Sequence, residues 1–355
     1  MNSSFFLVKW LFMAMDWVYR QMCGLFSEGG WVVVLTIFLF TLAIKLLTVF
    51  SDIKSRKSGI QMQAIQPELD KIKKKYANDP QKLNTEQRKL MKEHGVSTFG
   101  GCLPMLIMMP LLFMFFAAFR AWSNQQTLDL LLKIDAEQGA RAFADFRFLW
   151  ITNIWRPDNL KAGGTLMTGQ EFWTTFTSTN NIKDFIFFSK NEEALSRILY
   201  ELHFFTLAED SSYVIAQDGG AAFVEAYKTF VSPITSNTEL IGGAYEKMSN
   251  GFAILPILAA ATTFLSSWIM QRSQKKTMAQ PASGDKNDPA AQTQSMSKMM
   301  MFMMPAMSLF FCYQYDSTFA FYWIFSNVIS LGITLILNAT VFKKMQQETV
   351  EVIKK

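Results

Sequence analysis

Histidine, cysteine and charge are all scarce in this 355-residue sequence, and each scarcity removes a class of function. The two histidines, His94 and His203, lie far apart, so no pair of neighbouring imidazoles offers a metal site. Three scattered cysteines (Cys23, Cys102, Cys312) form neither a disulfide framework nor a metal-ligand spacing. No nucleophile–base set, metal spacing or phosphate-binding loop appears, which argues against an enzyme and against any cofactor. Charged residues make up only 18% of the chain, whereas half of it is hydrophobic, with 33 Phe and 22 Met. That balance points to an all-α polytopic membrane protein rather than a soluble globule.

Apolar runs of spanning length occur at Trp31–Phe50, Cys102–Phe119, Phe252–Met270 and Phe319–Leu337, with a shorter one at Met299–Cys312. They predict five spans, at 30–50, 101–121, 251–270, 298–314 and 317–342. The N-terminal stretch "FFLVKWLFMAMDWVYRQMCGLF" is not expected to act as a signal peptide, because Asp16 and Arg20 interrupt it and no small-x-small site follows. Lys9, Asp16 and Arg20 fall within roughly 40° on a helical wheel, so residues 1–28 read as an amphipathic helix lying in the interface. A sixth span is the alternative.

Charge asymmetry orients the chain. Residues 51–100 carry eleven Lys or Arg against six acids, 271–298 five against two, and 343–355 four against two. The long segment 122–250 reverses this, with ten bases against sixteen acids. The positive-inside rule then puts the basic segments in the cytosol, the N-terminus outside and the C-terminus inside. Segment 271–297 becomes a flexible cytoplasmic loop, 343–355 a short basic tail, and 122–250 extracytoplasmic.

Residues 51–99 are expected to form a helical hairpin. Met62, Ile65, Leu69, Ile72 and Tyr76 alternate spacings of three and four, "NDP" at Asn78–Pro80 makes the turn, and Leu83 and Leu90 continue the seam. Its basic outer face includes Lys71, Lys73, Lys74, Lys75, Arg88 and Lys89. Such a face is either simply solvated or a contact for acidic lipid, ribosomal RNA or a membrane-bound partner.

Polar groups inside the spans form stripes. Thr41, Lys45 and Thr48 lie within roughly 60° on the first span. On the last, Trp323, Asn327, Ser330, Thr334 and Asn338 lie within about 80°. A polar stripe on a lipid-embedded helix must face protein or water, so the two could share a wet cavity open to cytosol and lipid. The alternatives are snorkelling for Lys45 and plain interhelical hydrogen bonding for the last span.

Several segments resemble, in order, the YidC/Oxa/Alb membrane insertases: "TLAIKLL", "SGIQMQAIQPELDKIKKKYANDPQKLNTEQRKLMKEHGV", "GGCLPMLIMMPLLF", "FLWITNIWRPD", "AILPILAAATTFLSS", and "MFMMPAMSLFF" with "FYWIFSNVISL". The resemblance implies a five-span insertase core around a hydrophilic groove, open to cytosol and membrane and closed toward the outside. One positive residue, usually arginine, stands in that groove where this chain has Lys45; Thr41, Thr48, Trp323, Asn327, Ser330 and Thr334 would line it. The implied partners are nascent membrane proteins and the lipid bilayer. Contacts with the ribosome, the Sec translocon, and signal recognition particle or its receptor are implied through the hairpin. The implied location is a bacterial cytoplasmic membrane. A small transporter or channel using Lys45 as an anion site is the rival reading of the same residues. A structural partner of a translocon would leave Lys45 dispensable.

This sequence departs from the family in four places. Lysine replaces the common arginine, keeping the charge but losing the planar donor fork. Met108 stands where Gln is frequent, and Ser97-Thr98 replaces the usual Asn-Pro. Residues at about 159–250 intervene where the family often has few, and are read as an extracytoplasmic insert.

Overall fold

The computed structural model describes residues 6–77, 79–95, 103–178, 182–184, 186–275, 289–337 and 339–340. The tail at 343–355, residues 276–288 of the 271–297 loop, Asn78, Ser97-Thr98, Asn338 and the Met108 side chain lie outside that description. Long helices dominate it: α1 (Phe6–Leu25), α2 (Gly30–Ala64), α3 (Gln66–Lys75), α4 (Pro80–Glu93) and α5 (Leu103–Asp135). A short α6 (Gly139–Ala144) follows, and after the insert come α13 (Ile254–Lys275), α14 (Pro289–Gln314) and α15 (Ser317–Leu337). Among the described residues, Gly30–Ser51 and Ser317–Leu337 are long and apolar enough to cross a membrane. Ile254–Ile269 and Met301–Gln314 are shorter apolar stretches.

Helix bounds differ from the sequence expectation in an informative way. The first apolar run ends at Phe50, yet α2 continues to Ala64 without a break. Likewise α5 runs past residue 121 to Asp135, and α14 begins at Pro289 rather than 298. Hydrophobicity marks where a helix can meet lipid; backbone hydrogen bonding stops only at a residue that cannot continue it.

The chain divides into two compact units. One comprises residues 41–113, 259–308 and 323–355. Within it, α3 and α4 form an antiparallel pair whose seam is Ile65, Leu69 and Leu90, with Ile72 and Met91 packed alongside. The turn follows from its residues: the Asp79 carboxylate accepts from the Lys82 N–H at 3.0 Å, and Pro80 opens α4 where no N–H is needed.

The other unit comprises residues 1–40, 114–258 and 309–322. Here α1 buries Val8, Leu11, Phe12 and Met15 and exposes Phe6, Leu7, Trp10, Met13 and Trp17. Its polar side is not simply solvated: Asp16 pairs with Arg20 at 2.7 Å and accepts from Gln125 of α5 at 2.9 Å.

Residues 159–250 fold into six helices, α7 (Gly169–Ser178), α8 (Ile186–Lys190), α9 (Glu192–Glu201), α10 (Ala221–Phe230), α11 (Ser232–Thr235) and α12 (Thr238–Ile241). Between α9 and α10 lies an antiparallel hairpin of β1 (Phe205–Leu207) and β2 (Tyr213–Ile215), with Phe205 opposite Ile215. Their core is aromatic: Phe172, Phe176, Phe204 and Phe223 are fully buried, and Phe172 meets Phe223 at 5.2 Å between ring centres. Gly220 opens α10 at φ +80°, where a β-carbon would strike the Trp173 ring.

Around this insert, the "WRPD" segment holds the starts of two helices, α13 and α15. The Asp158 carboxylate, wholly buried, accepts from the backbone N–H of Ala253 (2.9 Å) and Leu255 (2.7 Å) at the start of α13, and from Trp150 Nε1 (3.2 Å). It therefore caps a helix from outside that helix's own sequence. The Arg156 carbonyl accepts from Ser317 N and Oγ at the start of α15 (3.1 and 2.7 Å). Buried Asn250 accepts from Asn153 N at 2.8 Å, and its Nδ2 reaches the Asn153 carbonyl at 2.9 Å.

Candidate functional site

A helix that exposes only hydrocarbon has no reason to sort its residues by polarity, but α2 does. Leu46, Leu47 and Phe50 are exposed, whereas Thr41 is fully buried and Lys45 and Thr48 are half-buried. At about 100° per residue the two sets lie on opposite sides of the helix. Lys45 thus sits on the sheltered side. Thr48 Oγ1 donates to the Lys45 carbonyl at 3.3 Å, which satisfies the hydroxyl within its own helix.

The α15 stripe is sorted the same way. Val328, Leu335 and Ile336 are exposed; Trp323, Asn327 and Ser330 are half-buried and Thr334 is buried. Trp323 Nε1 donates to Thr263 Oγ1 of α13 at 2.9 Å. Asn327 Nδ2 donates to the same hydroxyl at 2.9 Å and approaches Thr262 Oγ1 at 3.3 Å. Thr263 in turn donates to the Ala259 carbonyl at 2.7 Å. Thr334 Oγ1 donates to the Ser330 carbonyl at 2.6 Å.

Two residues of the stripe therefore engage a neighbouring helix, and the partners are threonines that the sequence pattern alone did not single out. The signal was present in "AAATTFLSS": Thr262, Thr263 and Ser266 recur at helical spacing inside an apolar run. Thr263 is buried, and Ser266 Oγ is buried with no hydrogen-bond partner among the described residues. The polar seam thus joins α13 to α15.

Replacing Thr263 with Val should leave the indole and amide donors short of their shared acceptor and cost about 2 kcal/mol. Thermal unfolding in detergent checks this: Thr263→Ser should melt near the parent and Thr263→Val several degrees lower. Equal loss in both would mean that volume, not hydrogen bonding, matters at this position.

On the hairpin, Lys71, Lys74, Lys75, Arg88 and Lys89 are exposed. Lys73 is half-buried and reaches Asp70 at 3.5 Å. Lys75 and Lys82 both approach the Tyr76 ring, at 5.4 and 5.8 Å from its centre. Among the described residues no group of acidic, histidine or cysteine side chains could hold a metal ion.

Apolar helices that hide a polar seam define a membrane-embedded helical protein. The chain belongs to the family described as 60Kd inner membrane protein, which matches residues 25–209 and 220–347 and supports its place in the YidC/Oxa/Alb family. Similar proteins carry the name "Membrane protein insertase YidC". That of Clostridium perfringens is 38% identical over 125 residues, 35% of this chain and 45% of that protein. The Clostridium tetani protein is 33% identical over 141 residues, 40% of this chain and 56% of its own. A longer match, to the Chlorobium luteolum protein, is 26% identical over 306 residues, 86% of this chain and 33% of the relative. The chain spans about half the length of the first two relatives it matches.

Proposed function

We propose that the protein is a membrane protein insertase. It receives nascent membrane proteins in a hydrophilic groove and releases their apolar segments sideways into the bilayer. The single observation that carries this reading is the sorting of α2: a cation and two threonines on the sheltered side, leucines and phenylalanine on the exposed one. Snorkelling would favour a lysine on the exposed side, and family membership adds independent support.

In this reading five spans form the core, with the N-terminus outside and the C-terminus in the cytosol of a bacterial cytoplasmic membrane. Residues 1–28 lie in the outer interface, the insert at about 159–250 is extracytoplasmic, and the hairpin at 51–99 faces the cytosol. Lys45 draws the acidic or polar leading segment of a client into the membrane. Moving that segment across ~30 Å of hydrocarbon unaided is prohibitive, and polar side chains partway shorten the dry path. Thr41, Thr48, Trp323, Asn327, Ser330 and Thr334 line the route, and Thr262 and Thr263 join them. Burial of the client's own apolar helix supplies the driving force, so no nucleotide, cofactor or catalytic residue is needed.

Lys71, Lys74, Lys75, Arg88 and Lys89, with Lys73 more sheltered, form the contact face for ribosome, Sec translocon, or signal recognition particle and its receptor. A photoreactive residue at Ser330 should crosslink to a ribosome-stalled single-span membrane protein and not to a stalled soluble protein. Equal crosslinking to both, or to neither, would remove the groove from the path.

A further inference from the structure

A polar cavity of about 230 Å³ lies within the unit that contains the insert, and the insertase mechanism makes no use of it. Arg120 and Ser123 come from α5, Arg156 and Lys161 from the loop that carries "WRPD", Glu171 from α7, and Asp316 from the corner between α14 and α15. Three segments distant in sequence thus converge three cations and two carboxyl groups on one small space.

The charges are not evenly matched. Glu171 serves two of the cations, accepting from Arg156 Nη2 at 2.9 Å and Lys161 Nζ at 3.2 Å. That pairing, with the Thr168 backbone N–H at 3.0 Å, holds the Glu171 carboxyl below its usual range against the effect of its burial. Arg156 is fixed further by donating from Nε to the Gly164 carbonyl at 3.2 Å. Arg120 makes no ion pair among the described residues. Its guanidinium fork remains available.

Asp316 is the other unspent group. Its carbonyl accepts from Phe319 N at 3.0 Å and so opens α15, which anchors its backbone. Burial pushes its carboxyl up to about 6, against the pull of Arg156, Arg120 and the Ser123 hydroxyl; Glu171 pushes the same way as burial. The charged groups facing it are Arg120 from α5, Arg156 and Lys161 from the loop, and Glu171 from α7. With Asp316 ionised the cavity carries three positive and two negative charges; with it protonated, three and one.

We propose that this cavity binds a compact oxyanion of the phosphate class, seated on Arg120 beside Arg156, and that Asp316 tunes its affinity by taking up a proton. An arginine fork matches the oxygen spacing of such an anion, and the amide and hydroxyl lining (Asn124, Asn159, Thr175) supplies further polar contacts. Protonation removes the one negative charge that no ion pair holds, so binding tightens as pH falls through about 6. The anion can arrive free or as a phospholipid headgroup; Leu160, exposed between the lining residues Asn159 and Lys161, suits the second route.

Sulfate, whose charge is constant over the range, is the probe. The full chain in a neutral detergent is titrated with sulfate at pH 5.0 and 7.5, with chloride holding ionic strength constant. Sulfate should bind on the order of tenfold tighter at the lower pH, the scale of one unit charge in a partly dry cavity. Arg120→Gln should weaken binding about fivefold or more while melting like the parent. Asp316→Asn should bind equally at both pH values. Repeating the titration in nanodiscs with and without phosphatidylglycerol separates the sources. Competition by the lipid assigns the headgroup, and undiminished sulfate binding assigns a free oxyanion. Unchanged affinity in Arg120→Gln, absence of sulfate binding, or a pH dependence that survives in Asp316→Asn would each overturn the proposal.

Discussion

Lys45→Glu should give the slowest insertion of any single substitution in the proposed groove, measured on a single-span client with an acidic external tail. Lys45→Arg should work near the parent rate, because it keeps the charge and adds a more weakly hydrated donor group. Lys45→Ala should be intermediate. The ordering follows from charge. At an effective dielectric of ~20, a cation and a carboxylate about 5 Å apart attract by roughly 3 kcal/mol. Lys45 is half-buried, so water screens part of that, and if a third to a half survives, loss of the cation slows capture about tenfold. Glutamate turns the attraction into repulsion and adds a further decrement of similar size. A client with a neutral tail should respond far less to the whole series. If all four proteins insert the acidic client alike, Lys45 has no part in the mechanism.

Asp158→Ala should be the most destabilising change outside the aromatic core, and the reason lies in the capping geometry. Removing the carboxylate leaves the backbone N–H groups of Ala253 and Leu255 and the Trp150 indole N–H without acceptors, around a site that is wholly buried. At about 1–3 kcal/mol for each unsatisfied donor, with partial relaxation, the expected loss is about 3–4 kcal/mol. Asp158→Asn keeps one acceptor and should lose less. Gly251→Ala should also destabilise, because its β-carbon would collide with Asp158 Oδ1. Thermal unfolding in detergent and the amount of folded protein in the membrane both report this. An Asp158→Ala protein that melts with the parent would mean that the α13 start is held by packing alone. The effect on Lys45-dependent capture should be indirect, through abundance, which distinguishes the two series.

How far the sequence reached depends on the kind of feature. The apolar runs, the helix start at Asp79–Pro80 and the placing of Thr41, Lys45 and Thr48 on one side of a helix all follow from local periodicity. Helix ends were less legible: nothing after Phe50 forces a stop, and α2 goes on to Ala64. Asp16 illustrates a different limit. The wheel puts it on a polar face with Lys9 and Arg20, but whether that face meets water or a neighbour depends on Gln125, 109 residues away. The insert could be delimited by its length, yet its phenylalanines gave no readable period because they are spread over three short helices, α7, α8 and α10, and the hairpin, each contributing one or two.

By itself the sequence determined which residues could be polar within an apolar helix and on which side they fall, since a regular helix fixes that angle for every residue in it. Only the tertiary structure decided which donor meets which acceptor. Trp323 and Asn327 share Thr263 across sixty and sixty-four residues, and Asp158 accepts from Ala253, ninety-five residues later, at the start of α13. The physical reason is that a buried hydrogen bond needs its partner within about 3 Å. The approach of two distant segments to that distance is set by packing of the whole unit, which no local pattern encodes.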